Sequence, residues 1–330
     1  MAMTSIGDLA QMHFLRRHTA VTKTALDRLT VEVATGTAAD PMAHLRGDAT
    51  TVTTLDAALS RLRAYGAVTN DLSLRAEAQQ RALAHVDDAA VKASGALVTA
   101  AHGTAQGLIA AGQEARQALE VSLSALNQRL GDHALFAGAD SGGPAILSAD
   151  AFMAQLRAAL GGVSEVSAVK QAVSDWFAAP DGFAAAYLGA DPAPALPIAD
   201  GQVVALETTA ADPALRDTLK ALALGALLAD PGFGTAADRT ALARHAGEAL
   251  AGLATDRAAM AGRLGAAQDR LEQAAIRNQA EETALSIARN DLLAVDPYDT
   301  ATRLQETETR LETLYALTAR LSRLSLLDHI

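Results

Sequence analysis

Seven of the chain's nine prolines lie between residues 144 and 231; only Pro41 precedes that stretch and only Pro297 follows it. Proline removes a backbone donor and clashes with the preceding turn, which costs a helix interior about 3 kcal/mol. The distribution therefore leaves two long arms in which helices can run, around a turn-rich middle. Five of the nine prolines follow aspartate, at Asp40-Pro41, Asp191-Pro192, Asp212-Pro213, Asp230-Pro231 and Asp296-Pro297. Aspartate at the N-cap with proline in the first turn is a helix start. Asp296-Pro297-Tyr298-Asp299 is the fullest instance, because Asp299 adds a carboxylate where the helix dipole favours one.

What the arms can pack with is set by side-chain size. Alanine supplies 79 of the 330 residues, while aromatics make up 3%. Alanine is the best helix former and the smallest core residue. Such a chain suits long, closely approaching helices better than one thick core.

The expected fold is mainly α: long N- and C-terminal helical arms packed as an antiparallel coiled-coil rod, with a small α+β domain inserted between them. The length allows two or three domains. The expected divisions are an assembly helix and turn at 1–47, rod helices at 48–140 and an inserted domain at 141–237. A rod helix at 238–296 and a second assembly helix at 297–330 follow.

The first arm opens on an apolar stripe at Ile6, Leu9 and Met12, resumed at Leu26, Leu29 and Val33. After a break at 36–41, a helix is expected over about 48–101. Its heptad seam runs Val52, Leu55, Leu59 and Leu62, with Gly66 interrupting it and Val68 and Leu72 shifting its register. A break at His102-Gly103 leads to a further helix ending near Leu130. The last arm is expected to hold one helix over about 238–294, carrying Leu264, Leu271, Ile276, Leu285 and Leu292. A final helix presents Leu304, Leu311, Leu314, Leu317, Leu321, Leu324 and Leu327 on one face. In the middle, helices are expected at 152–160, 169–177 and 212–229. Strands are expected at 186–188, 196–198 and 202–209.

The two end helices carry the functional argument. Burying the seven leucines of the last helix recovers less than ordering its backbone costs, so it needs a surface to pack against. The N-terminal stripe is the intramolecular candidate, but it is discontinuous. Both stripes are therefore expected to be completed by neighbouring subunits, as in an assembly protein whose ends order on binding.

Composition excludes several classes. With no cysteine there is no disulfide scaffold, thiolate metal site or cysteine nucleophile. A net charge of −11 argues against sequence-independent nucleic-acid binding and anionic membrane surfaces. No charge-free apolar run reaches the length of a membrane span. The N-terminal stretch lacks the basic-then-apolar order of a cleaved signal peptide.

Residues 232–237, Gly-Phe-Gly-Thr-Ala-Ala, match a loose dinucleotide fingerprint. The stretch before them reads as helix rather than the strand that fingerprint needs, so a helix–helix turn capped by Thr235 or Asp238 is the better account. The eight histidines lack metal-site spacing, and Asp291, Asp296 and Asp299 lack an EF-hand loop. No nucleophile, base and oxyanion donor assemble into a catalytic set. Neither an enzyme nor a cofactor or metal site is expected.

Two segments carry a resemblance. Leu126-Asn127 followed by Gly131-Asp132-His133-Ala134-Leu135-Phe136-Ala137-Gly138 resembles the "LN…G-x-Y-L-F-x-G" turn of the flagellin family, with Ala134 at the usual tyrosine. The match rests on Gly131, Leu135, Phe136 and Gly138. In the C-terminal arm, Gly262-Arg263-Leu264 and Arg270-Leu271 are similar to the family's "G-x-R-L-x-x-x-x-x-R-L" entry. Residues 325–330, SLLDHI, resemble the "SLLDYL" ending of its hook-associated protein 3 branch. Residues 29–41 are similar, in shortened form, to a third family segment.

The resemblance covers roughly 1–140 and 240–330. It implies a structural subunit of the bacterial flagellum, adapting hook to filament by self- and hetero-assembly outside the cell. Its implied partners are further copies of itself, the first hook–filament junction protein, flagellin, and an export chaperone for the C-terminal helix. It also implies type III export without a cleaved signal. Flagellin itself, and a stand-alone coiled-coil or secretion-system module, remain the alternatives.

Overall fold

The computed structural model describes residues 6–327, with side chains described for residues 10–320. The fold is mainly α, with eleven helices and two short hairpins among the described residues. The chain divides into two compact units, one of residues 1–63 and 280–330, the other of residues 64–279. Two helices, α3 (Thr50–Ala100) and α10 (Ala254–Leu293), contribute to both.

The first unit contains α1 (Ile6–Thr35), the short α2 (Pro41–His44), the start of α3, the end of α10, and α11 (Pro297–Leu327). Gly36 ends α1 at φ +70°, in the left-handed region that glycine enters without penalty. The links that follow α1 and α10 then pair with each other. Ala38 N–H donates to Leu293 O at 2.8 Å, and Val295 N–H donates to Gly36 O at 3.1 Å. That bridge starts α11 beside the end of α1, so the two helices run antiparallel and pack along their length. Within the same unit α3 and α10 are tied by Arg289–Asp56 at 2.6 Å and Arg63–Glu282 at 2.9 Å.

The second unit holds the main hydrophobic core, whose buried members all fall between Leu72 and Ala274. It comprises the rest of α3 and α10 with α4 (Ala105–Leu126), α5 (Ala149–Leu160), α6 (Val166–Ala178), α7 (Phe183–Ala186), α8 (Pro213–Ala226) and α9 (Ala236–Gly252). Hairpins β1 (Arg129–Leu130) with β2 (His133–Ala134), and β3 (Leu196–Ala199) with β4 (Gln202–Val204), complete it. The alanine content does its work here. Ala76, Ala90, Ala111 and Ala115 are buried between helices. At Gly225 a Cβ would sit 2.9 Å from both the Ala115 Cβ and a Leu97 methyl, and at Gly247 one would sit 2.7 Å from a Val98 methyl. Contacts that close leave no room for larger residues. Aromatics concentrate in one part of this core, where Phe152 meets Trp176 edge-on at 5.1 Å between ring centres, beside Phe177 and Phe183.

Several expectations need adjustment. Gly66 does not interrupt the α3 seam: Leu62, Thr69, Ala76, Leu83, Ala90 and Leu97 are all buried at seven-residue steps. Thr69 tolerates its place because its hydroxyl donates to Tyr65 O at 2.7 Å, a bond that satisfies it within its own helix. The single helix expected over 238–294 is broken at Leu253 into α9 and α10. Gly252 weakens the helix there. The Arg257 guanidinium donates to Leu250 O at 3.1 Å, satisfying a carbonyl of the last turn. Ile276 and Leu292, expected on the apolar face of that arm, are exposed, whereas Leu264 and Leu271 are buried. The strand expected over 202–209 forms hydrogen-bonded pairs only over β4. Its partner begins at Leu196, and upstream of it Pro192 and Pro194 have no N–H to extend the ladder. Residues 186–188 yield one isolated bridge, Ile146 to Tyr187. Of the five Asp-Pro pairs, three begin helices, at Asp40, Asp212 and Asp296. The other two lie in bends and turns.

One outcome is specific to pH. His245 on α9 is held below its ordinary value near 6.5 by partial burial and by Lys170, with Lys220 acting in the same direction and Glu248 opposing. A base whose folded pKa is depressed takes up its proton first in the unfolded chain. Its contribution is therefore complete above the ordinary value and is lost as pH falls from there through the lowered folded value. Denaturant midpoints at pH 7.5 and 5.5 are expected to fall less in His245→Gln than in the parent. An equal fall would remove His245 from the account.

Candidate assembly interface and family turn

The end-helix pair is built from local signals. Asp296 caps α11, its Oδ1 accepting from Tyr298 N–H at 2.9 Å and Asp299 N–H at 3.0 Å. Asp299 in turn pairs with Arg303 at 2.9 Å, one helical turn on. On α1, Leu15, Thr19, Thr22, Leu26 and Leu29 form a buried or half-buried row at spacings of four and three. On α11 the matching row is Thr300, Leu304, Thr307, Leu311 and Leu314. These are heptad seams, and they explain how α1 and α11 pack on each other. Threonines enter the seam because their hydroxyls bond back one turn. Thr19 donates to Leu15 O at 2.9 Å, Thr300 to Asp296 O at 2.7 Å and Thr307 to Arg303 O at 2.7 Å.

The sequence-derived stripes therefore split. Leu26, Leu29, Leu304, Leu311 and Leu314 lie in the intramolecular seam. Met12, Val33 and Leu317 are exposed. The side chains of Ile6, Leu9, Leu321, Leu324 and Leu327 lie outside those described, as do residues 328–330 of the SLLDHI ending. Sequence reasoning missed the seam threonines, because the expected stripes hold apolar residues alone; the seven-residue spacing of Leu15, Thr22 and Leu29 was the available signal. It also missed the apolar residues that the pair leaves uncovered. Phe14 is 61% exposed, Val21 63% and Tyr298 84%, with Val31 and Tyr315 also exposed. Large apolar side chains thus remain exposed on both partners of the helix pair.

The second candidate region is the turn after α4. The Asn127 side chain makes a two-way amide clasp with Ile146, donating to its O at 2.9 Å and accepting from its N–H at 3.0 Å. The chain then forms the β1–β2 hairpin through Gly131 at φ +58°. Phe136 is wholly buried and Leu135 nearly so. Around them the backbone is pinned from three directions. Gln79 of α3 donates to Leu135 O at 2.6 Å, Ala210 N–H to Phe136 O at 2.9 Å, and Ala190 N–H to Ala137 O at 2.9 Å. Gly138 sits at φ +66°, and a Cβ there would collide with the carbonyl oxygens of Ala190 and Asp191. All four motif residues thus fall in one loop that joins α4 to the segments at 190 and 210. Gln79, remote in sequence and without a motif around it, was not foreseeable.

The glycine-rich match at residues 232–237 is a helix start. Thr235 Oγ1 accepts from Asp238 N–H at 3.2 Å while Asp238 accepts from Thr235 N–H at 3.1 Å. This reciprocal pair is a capping box. A 3-10 turn and α8 precede it, not a strand. Among the described residues, no helix is long and apolar enough to cross a membrane.

Comparison with known proteins adds two findings. Residues 245–330 match the family model of the bacterial flagellin C-terminal helical region. A solved structure from Vibrio parahaemolyticus, described as a flagellar hook-associated protein, superposes with a TM-score of 0.54 at 16% identity. That superposition covers 77% of this chain and 98% of the other. No curated protein matches the chain significantly. By its C-terminal arm this chain is flagellin-like, and its fold is similar to that of a flagellar hook-associated protein.

Proposed function

We propose that the chain is a structural subunit of the bacterial flagellum, acting as a hook-associated adaptor between hook and filament. The observation that carries this reading is the α1–α11 pair. Its seam is filled, yet Phe14, Val21, Tyr298 and Tyr315 remain uncovered, and none of its described side chains belongs to the main core. Such a pair gains its remaining apolar burial from neighbouring subunits, which drives association. On this reading the contacts are with further copies of the chain, with the first hook–filament junction protein on one side, and with flagellin on the other. Export proceeds through the flagellar type III route without signal cleavage, aided by a chaperone on the C-terminal helix, and the site of action is extracellular. The role is architectural, with no reaction catalysed.

The match of residues 245–330 to a flagellin region keeps one second reading in view, that of a filament subunit. Deleting the gene separates the two. Loss of a junction adaptor leaves intact hooks and sheds unassembled flagellin into the medium. Loss of a filament subunit leaves hooks with no flagellin shed, and filaments still attached would defeat both readings.

A further inference from the structure

The second unit carries a groove away from the turn motif, floored in part by core residues. It lies between α10 and the segment that continues β4, and consists of two lobes of about 720 and 470 Å³. Val203, Val204 and Arg270 line both lobes, so the two form one channel along α10. Leu264 and Ala267 contribute its apolar side. Three arginines stand at seven-residue steps along this side of α10, at 263, 270 and 277. The outer two are committed within the chain: Arg263 pairs with Asp212 at 3.0 Å, and Arg277 donates to Gln202 Oε1 at 2.6 Å. Arg270, between them, makes no ion pair or hydrogen bond among the described residues and is exposed.

The other wall is equally unfinished. Residues 205–207 continue β4 beyond its last paired residue, and their backbone groups make no main-chain hydrogen bond among the described residues. Val203, on the adjoining strand, is 60% exposed. An unpaired continuation of a strand beside an apolar channel is the arrangement by which a sheet edge accepts an added strand. Within the groove three arginines face two carboxylates, Asp212 and Glu207, in a chain whose net charge is −11. The local excess is positive where the molecule is negative, so another copy of the same chain is the complementary partner.

We infer that this groove receives an extended, acid-bearing segment of a second copy of the chain, paired along residues 205–207 with a carboxylate seated on Arg270. The inference rests on the reading that copies of the chain assemble, but adds a contact away from the end helices. A bidentate guanidinium–carboxylate pair would set the register of the added strand.

The chain has no cysteine, so a single photo-crosslinker can be attached cleanly to Val203→Cys, with Tyr315→Cys on α11 as a separate probe of assembly. In assembled full-length protein, position 203 is expected to cross-link to a non-helical, acid-containing segment of another copy. Arg270→Glu is expected to cut that yield at least tenfold, and Arg270→Lys to retain most of it. Cross-links from 315 without any from 203 would overturn the groove proposal and leave the assembly reading standing. Absence of both would overturn both. An unchanged yield in Arg270→Glu, or capture of helices alone, would also overturn the proposed pairing.

Discussion

Removal of residues 297–330 is expected to leave the second unit folded and to abolish assembly. The buried core between Leu72 and Ala274 contains none of the deleted residues whose side chains are described, and Trp176 within it is 7% exposed. Its near-ultraviolet circular dichroism should therefore be unchanged in the truncated chain. The first unit, by contrast, loses half of its helix pair. Leu26 and Leu29 would face water, and α1, at 30 residues, would have no partner for its seam. Isolated helices of that kind owe most of their stability to packing. In the intact but unassembled chain, amide exchange in α1 and α11 should be much faster than in α4 or α8, whose residues are buried along one whole face. Complementation of a deletion strain with the truncated chain is the functional readout. Restored filaments, or strong protection of α1 and α11 before assembly, would defeat the argument.

Much of this was legible in the sequence, for identifiable reasons. Glycine, proline and Asp-Pro signals are local, so the breaks near 36–41 and 102–103 and the starts at Asp212 and Asp296 could be read directly. The seam of α3 was legible as far as Leu62 because leucine and valine occupy it. Beyond that point Thr69, Ala76 and Ala90 take the same positions, and small or polar residues carry little periodic signal. The break at Leu253 depends on a tertiary contact, Arg257 with Asp87 at 2.7 Å and with Leu250 O, which no local pattern announces. The groove beside α10 was hidden for the same reason. Its arginines could be seen at positions 263 and 270 as part of a family resemblance, but not the segment lying opposite them.

The turn after α4 supplies the second large effect, and there the motif residues separate by mechanism. Phe136 is wholly enclosed, so Phe136→Ala removes its contacts and leaves a cavity, at a cost of about 3–5 kcal/mol. Loss on that scale is a large fraction of the stability of a domain this size. Phe136→Leu keeps most of the volume and should cost far less. The two glycines of the motif make an internal comparison. At Gly131 a Cβ would meet nothing. Gly131→Ala therefore carries only the left-handed backbone penalty, roughly 1–2 kcal/mol. At Gly138 the same backbone penalty is joined by collision with two carbonyl oxygens, and the 190–191 segment must move to admit any side chain. Denaturant unfolding followed through Trp176 should therefore rank Phe136→Ala and Gly138→Ala well below Gly131→Ala. Assembly should fail in the first two because the loop joining α4 to segments 190 and 210 is no longer fixed. If Gly138→Ala unfolded at the same denaturant concentration as Gly131→Ala, close approach at Gly138 would not be what fixes this loop.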